Sequence, residues 1–150
     1  VNTHMANRIV NHGLSNNLIK ELNKNNSIKS EVFFNKETRF DFLVEKNKQK
    51  SFIEVKNVTL FRDKKTAEFP DAITTRGSKH LLTLIDAIKK GYKTYLIFLV
   101  QIQNMEYFKI AKKILGYDIQ TIIFEGEHYM KLPEKYRRIV LVATLFTWGD

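Results

Sequence analysis

There is no cysteine in these 150 residues. Disulfide frameworks, thiolate zinc sites, thiol catalysis and iron–sulfur clusters are excluded together. Six glycines and two prolines are few, and no repeat or low-complexity segment stands out, which removes collagen-like and fibrous architectures. No apolar run approaches the ~20 residues of a membrane span; Leu96 to Val100 is among the longest. No basic-then-apolar leader marks the opening residues, so a cytoplasmic protein without a membrane segment is the expectation.

What is present is ordinary in amount and uneven in sign. Hydrophobic residues make up 43% and charged residues 27%, the balance of one globular domain rather than a disordered chain. Lys and Arg number 25 against 16 Asp and Glu, a formal charge of +9. Such a field attracts polyanions, nucleic acid first and anionic membrane second. Asn and Lys also crowd stretches such as Glu21 to Lys24, "ELNK", and Glu45 to Lys50, "EKNKQK", so a plain compositional bias accounts for the charge equally well. Oligomeric state leaves no mark here.

Ile9, Val10, Leu14, Leu18, Ile19 and Leu22 recur at helical spacing behind a cap at Asn2 or Thr3, with Gly13 as an interruption. Three extended segments follow: Glu31 to Phe34, then "RFDFLVE" at Arg39 to Glu45 and "SFIEVKNVTL" at Ser51 to Leu60. The last two are rich in aromatic and β-branched residues, and the polar tract between them suits a hairpin. Phe69-Pro70-Asp71 breaks the pattern. A helix over about Thr74 to Lys90 places Leu81, Leu82, Leu84, Ile85 and Ile88 on its apolar side, and Gly91 ends it. "TYLIFLVQI", Thr94 to Ile102, reads as a strand buried on both faces at the centre of a sheet. A helix at Met105 to Leu115 and a strand at Ile119 to Phe124 come next. Ile139 to Phe146 is apolar but has no assignable place. The order predicts an α/β domain with a mixed sheet flanked by helices.

The chemistry concentrates on polar residues inside apolar strands. Glu54 and Lys56 share a strand face with Phe52, and Asp41 sits between Phe40 and Phe42. Pairing Asp41 with position 54 or 56 brings it beside Glu54 and Lys56; a one-residue slip separates them. Two carboxylates and an ammonium so held resemble the PD-(D/E)xK nuclease arrangement. Asp41 and Glu54, with the backbone carbonyl of Val55, offer hard oxygen ligands for Mg²⁺ or Mn²⁺. Lys56 would orient or deprotonate the water that attacks a phosphodiester. "EVK" alone is nearly uninformative in a Lys-rich chain, and a solvated strand face with incidental ion pairing, worth under ~1 kcal/mol, is the competing account. An aspartate inside "FDFLV" weighs against it, because burying an acid costs free energy unless something satisfies it.

Asp41 to Val44, then Glu54 to Leu60, "EVKNVTL", then "FPDAITTRGSKHL" at Phe69 to Leu81 closely resemble the sugar fermentation stimulation (SfsA) family. "VNTHMANRIV" and "YLIFLVQ" resemble it too, so the likeness spans roughly residues 1 to 114. It implies a DNA-binding protein tied by name to regulation of sugar (maltose) metabolism. It also implies an N-terminal OB-like domain followed by a restriction-endonuclease-like domain, of which residues 1–150 look like the second alone. The nuclease-like motif falls on Asp41, Glu54 and Lys56, and a second signature on Asp71, Thr75, Arg76, Gly77 and His80. Arg76 and the first amides of the helix there suit a phosphate. A surface salt bridge for Arg76, local capping for Thr75 and a structural role for His80 stand beside that. Residues 115–150 follow no family pattern; within them Lys131, Lys135, Arg137 and Arg138 flank Tyr136, a backbone-binding patch or a solvated loop.

Two readings compete. One is a DNA-binding domain of nuclease-like fold with metal-dependent phosphodiesterase activity. The other is a catalytically silent DNA-binding regulator of sugar metabolism genes on the same scaffold. Hydrolysis of a small phosphate ester by the same triad is a third.

Overall fold

The computed structural model describes residues 3–58, 60–61, 66–69, 75–100, 107–110, 119–124 and 139–145. Helix α1 (Thr3–Ser15) forms because Ala6, Ile9, Val10 and Leu14 fall on one face and are buried there. Gly13 does not interrupt it: burial of Val10 and Leu14 offsets the ~1 kcal/mol a helical glycine costs. The helix stops at Asn17, which takes a left-handed φ of 58°. The Leu18 amide then donates to the Gly13 carbonyl at 2.9 Å and the Asn17 amide to the Leu14 carbonyl at 3.4 Å, the paired bonds of a Schellman ending.

Strands β1 (Ser27–Phe33), β2 (Arg39–Lys46) and β3 (Gln49–Asn57) form an antiparallel meander. β1 begins four residues earlier than its apolar content announces. Between β2 and β3 the turn has two residues, Asn47 and Lys48, at φ 51° and 68°. Both being positive matches the twist of the strands and favours Asn-Gly. A lysine held there costs about 1 kcal/mol. Lys48→Gly is therefore expected to raise stability by roughly that amount, seen as a higher urea midpoint at unchanged slope; an unmoved midpoint would mean the turn stores no strain.

From β3 the chain passes through the short β4 (Leu60–Phe61) and β5 (Thr66–Phe69), then helix α2 (Thr75–Lys89), into β6 (Lys93–Val100). β6 pairs parallel to β3 on one side and to β9 (Ile139–Leu145) on the other, with β8 (Ile119–Phe124) outside. The six-strand order is β1-β2-β3-β6-β9-β8. Leu96 to Leu99 are all buried, as a central strand requires. The apolar stretch without an assigned place thus enters the sheet next to it. β4, β5 and β7 (Tyr107–Ile110) make a second, three-stranded sheet. The sequence predicts a helix at Met105 to Leu115; Tyr107–Ile110 is instead extended and pairs with β5, because a four-residue stretch with two aromatics and one β-branched residue fits either element and a partner strand decides.

α1 covers one face of the main sheet. Val10, Leu14, Ile19 and Leu22 pack there with Phe42, Val44, Ile53 and Ile97. On β3 the alternate residues Glu54 and Lys56 meet α2 instead. Gly91, at φ 96°, ends α2 with the same two bonds that end α1. Leu84 and Ala87 are buried, whereas Leu82, expected on the apolar side, is exposed; it lies too far round the helix to reach the sheet. Among the described residues no helix is long and apolar enough to cross a membrane.

Candidate active site

The β2–β3 ladder ends at the pair Phe42↔Ile53, and the next residues on each strand are Asp41 and Glu54. Of the two registers expected, the structure adopts the first. Facing changes at Asp41 as well. Phe42 and Val44 join the core beneath α1, but Phe40 stacks against Phe34 and Phe52, with ring centroids 5.8 and 5.0 Å away. Across from Asp41 in β1, Glu31 takes a left-handed φ of 51° between the pairs Ser30↔Phe42 and Val32↔Phe40. Both strands bend at one level, and the Asp41 side chain enters the gap.

There it does the work of a strand. Asp41 Oδ2 accepts the Val55 amide at 2.7 Å, and Oδ1 accepts Asn7 Nδ2 of α1 at 3.0 Å. Val58 N–H donates to the Leu99 carbonyl, so the alternation along β3 turns the Val55 amide and carbonyl toward Asp41. Burial, a hydrogen bond to Glu54 and the charge of Glu54 push Asp41 up to about 7, against the opposing pull of the Val55 amide and Asn7. Two neighbouring carboxylates resist ionising together, so Asp41 keeps its proton to higher pH than it would in water.

Glu54 is buried. His80 Nδ1 of α2 approaches its Oε2 to 3.1 Å, yet off the line of a hydrogen bond, and this oxygen has no aligned donor among the described residues. Lys56 Nζ stands 3.5 Å from the same His80 nitrogen. A ring nitrogen that accepts from Lys56 has no hydrogen to give Glu54, so one of these contacts is always unfavourable while the imidazole is neutral. Asp41, Glu54 and His80 open into a cleft of about 490 Å³ whose lip carries Phe33, Arg39 and Lys79. Lys56 is not among the lining residues; it sits one side chain back, behind His80.

The donor set can be judged for a divalent cation on its own chemistry. A buried carboxylate oxygen without a donor, a second carboxylate beside it and a carbonyl turned the same way suit an ion that keeps several waters, such as Mg²⁺ or Mn²⁺. Among the described residues no group of three or more His, Asp or Glu side chains is arranged to hold a metal. The Asp41–Glu54 pair fits an ion that keeps waters for the rest of its shell.

Asp41, Glu54 and Val55 are thus together, with His80 and, one layer behind, Lys56. Thr75 and Arg76 are described in backbone only, as the first two residues of α2. Asp71 and the basic cluster at Lys131 to Arg138 lie outside the described residues. Asn7 went unnoticed in the sequence, since a polar residue on the helix flank carries no signal. Nor did anything announce that Glu31 would bend β1.

Residues 4–117 match the family model described as the sugar fermentation stimulation protein RE domain. A sugar fermentation stimulation protein homolog of Pelagibacter ubique is 75% identical over 114 residues, covering 76% of this chain and 49% of the relative. One from Agrobacterium fabrum is 39% identical over 112 residues, covering 74% and 47%. The chain spans about half the length of the curated relatives it matches. Among solved structures, that of Pyrococcus furiosus SfsA in complex with Ca²⁺ superposes with a TM-score of 0.66 at 29% identity, over 75% of this chain and 48% of that one. The fold is accordingly the restriction-endonuclease-like mixed sheet flanked by helices that the family resemblance implied. With its family model laid across both the bent strand that carries Asp41 and the strand that carries Glu54, the chain belongs to the sugar fermentation stimulation protein family.

Proposed function

We propose that this chain is a nucleic-acid-binding domain that hydrolyses phosphodiesters in DNA with Mg²⁺ or Mn²⁺. The observation that carries the reading is the Asp41–Glu54 pair: two carboxylates side by side in the lining of one cleft, with Asp41 raised to about 7 by burial and by its neighbour. A structural role does not call for a second buried acid at that point. Asp41, Glu54 and the Val55 carbonyl would hold the ion, which when bound would offset charge on the scissile phosphate. A Ca²⁺ complex of the Pyrococcus furiosus relative supports an oxygen-seeking cation in this fold. Asn7 and the Val55 amide fix the Asp41 carboxylate so that both oxygens are aimed before the ion arrives. Lys56 would orient the attacking water from behind His80, whose ring sets where the lysine side chain stands.

A second reading keeps DNA binding and drops turnover, as a regulator of sugar metabolism genes. It draws on one observation, that His80 stands between Lys56 and the cleft. Labelled duplex and single-stranded DNA incubated with Mg²⁺ or Mn²⁺ separates the two, with folded Lys56→Ala and Glu54→Gln run alongside. Cleavage by the wild type, lost in both variants, is expected. Binding that leaves DNA whole with either metal would remove the hydrolytic claim and leave the regulator.

A further inference from the structure

We propose that Phe33 and Arg39 form a stacking platform for one unpaired nucleobase at the mouth of the carboxylate cleft. The strand taken is then single or frayed rather than an intact duplex. This deepens the nucleic-acid reading and rests on it. Phe33 is 64% exposed, while the other aromatics of this corner, Phe34, Phe40, Phe52 and Tyr92, pack on one another. An apolar ring left in water at a site lip has its stacking face available. It is the register partner of Arg39, whose guanidinium lies 5.8 Å from the ring centroid. Asp41 follows two residues along β2, about 7 Å at the rise of a strand.

Charge at the lip suits a nucleotide as well. Arg39 is 3.7 Å from Glu31, with both side chains more than half exposed. Such a pair is weak, and a phosphate can take the guanidinium from it as a bidentate partner. Glu37 is already matched by Lys79 at 3.0 Å, so the lip does not repel an anion as its count of acids suggests. The net charge of +9 favours a polyanionic partner over an acid-poor one. A cleft of about 490 Å³ is of a size for one nucleotide.

The test is equilibrium binding of the 150-residue chain, in EDTA, to a short labelled oligothymidine and to a blunt-ended duplex of two annealed strands. Phe33→Ala should weaken oligothymidine binding about tenfold and leave duplex binding unchanged. Phe33→Trp, made with Trp148→Phe so that one indole reports, should retain affinity and show fluorescence quenching on adding oligothymidine. Equal affinity of wild type and Phe33→Ala for the single strand would overturn the platform, as would an equal loss on both probes or binding without quenching. Those results would leave the nucleic-acid reading standing. A wild type that binds neither probe would overturn both.

Discussion

Asp41→Asn is expected to stabilise the protein above pH 7 while abolishing its response to divalent cations. In the unfolded chain Asp41 loses its proton near 3.8, and in the fold near 7. Between those values the native state holds a proton that the unfolded state has released. Its contribution to stability is therefore complete below about pH 4 and disappears as pH rises through about 7. The shift from 3.8 to about 7 sets a ceiling of ~4 kcal/mol at 1.4 kcal/mol per unit. Partial exposure brings the expectation to on the order of 1–3 kcal/mol.

Asparagine keeps the neutral arrangement at every pH. Its Oδ1 accepts the Val55 amide, its Nδ2 donates to Glu54, and the Asn7 amide needs only to turn over. The wild type should approach the variant's stability near pH 4 and fall below it at pH 8. Mg²⁺ or Mn²⁺ should raise the wild-type melting temperature at pH 8 by mass action and leave Asp41→Asn where it was. Cleavage should vanish in the variant. A variant less stable than wild type at pH 8, or one that metals stabilise equally, would sink the assignment of a ligand-binding carboxylate pair. Sites that lower stability in order to bind are a recurring compromise, and here it would be confined to one side chain.

The second large effect concerns salt. If roughly four phosphates are neutralised by Lys and Arg, affinity for DNA should fall about a hundredfold between 50 and 200 mM monovalent salt, from a log–log slope near −3.6. Affinity measured by anisotropy at several salt concentrations gives that slope directly. A slope shallower than −1 would mean that the 25 basic residues mostly solvate the surface and that the compositional-bias account of the charge is the right one. The effect is separable from the first, because Asp41→Asn removes a negative charge from the floor of the cleft and should not steepen the slope.

Much of the site was legible because strands announce themselves by alternation. Phe40, Phe42 and Val44 around one aspartate, and Ile53 and Val55 around one glutamate, limit the hairpin to two registers, and the structure takes the one that opposes Asp41 to Glu54. The unbroken apolar run of β6 was enough to place it centrally. Legibility failed wherever the answer depended on a distant partner. Tyr107–Ile110 is a strand only because β5 is there to pair with it. Asn7 matters only because α1 crosses the sheet at the level of Asp41. The bend at Asp41 needs Glu31 in a conformation that glutamate rarely adopts, and no rule of composition anticipates a residue held against its own preference.

The position of β9 has a consequence for how the chain is made. β6 is buried from Leu96 to Leu99, yet one of its two edges is covered by residues 139–145, translated some forty residues later. During synthesis the meander, α1 and β6 can assemble first, leaving an unprotected hydrophobic edge of the kind that pairs with other chains. The family-matching stretch, residues 4–117, ends before that edge is closed. The strand that covers this edge of the sheet therefore comes from outside the family-matching stretch.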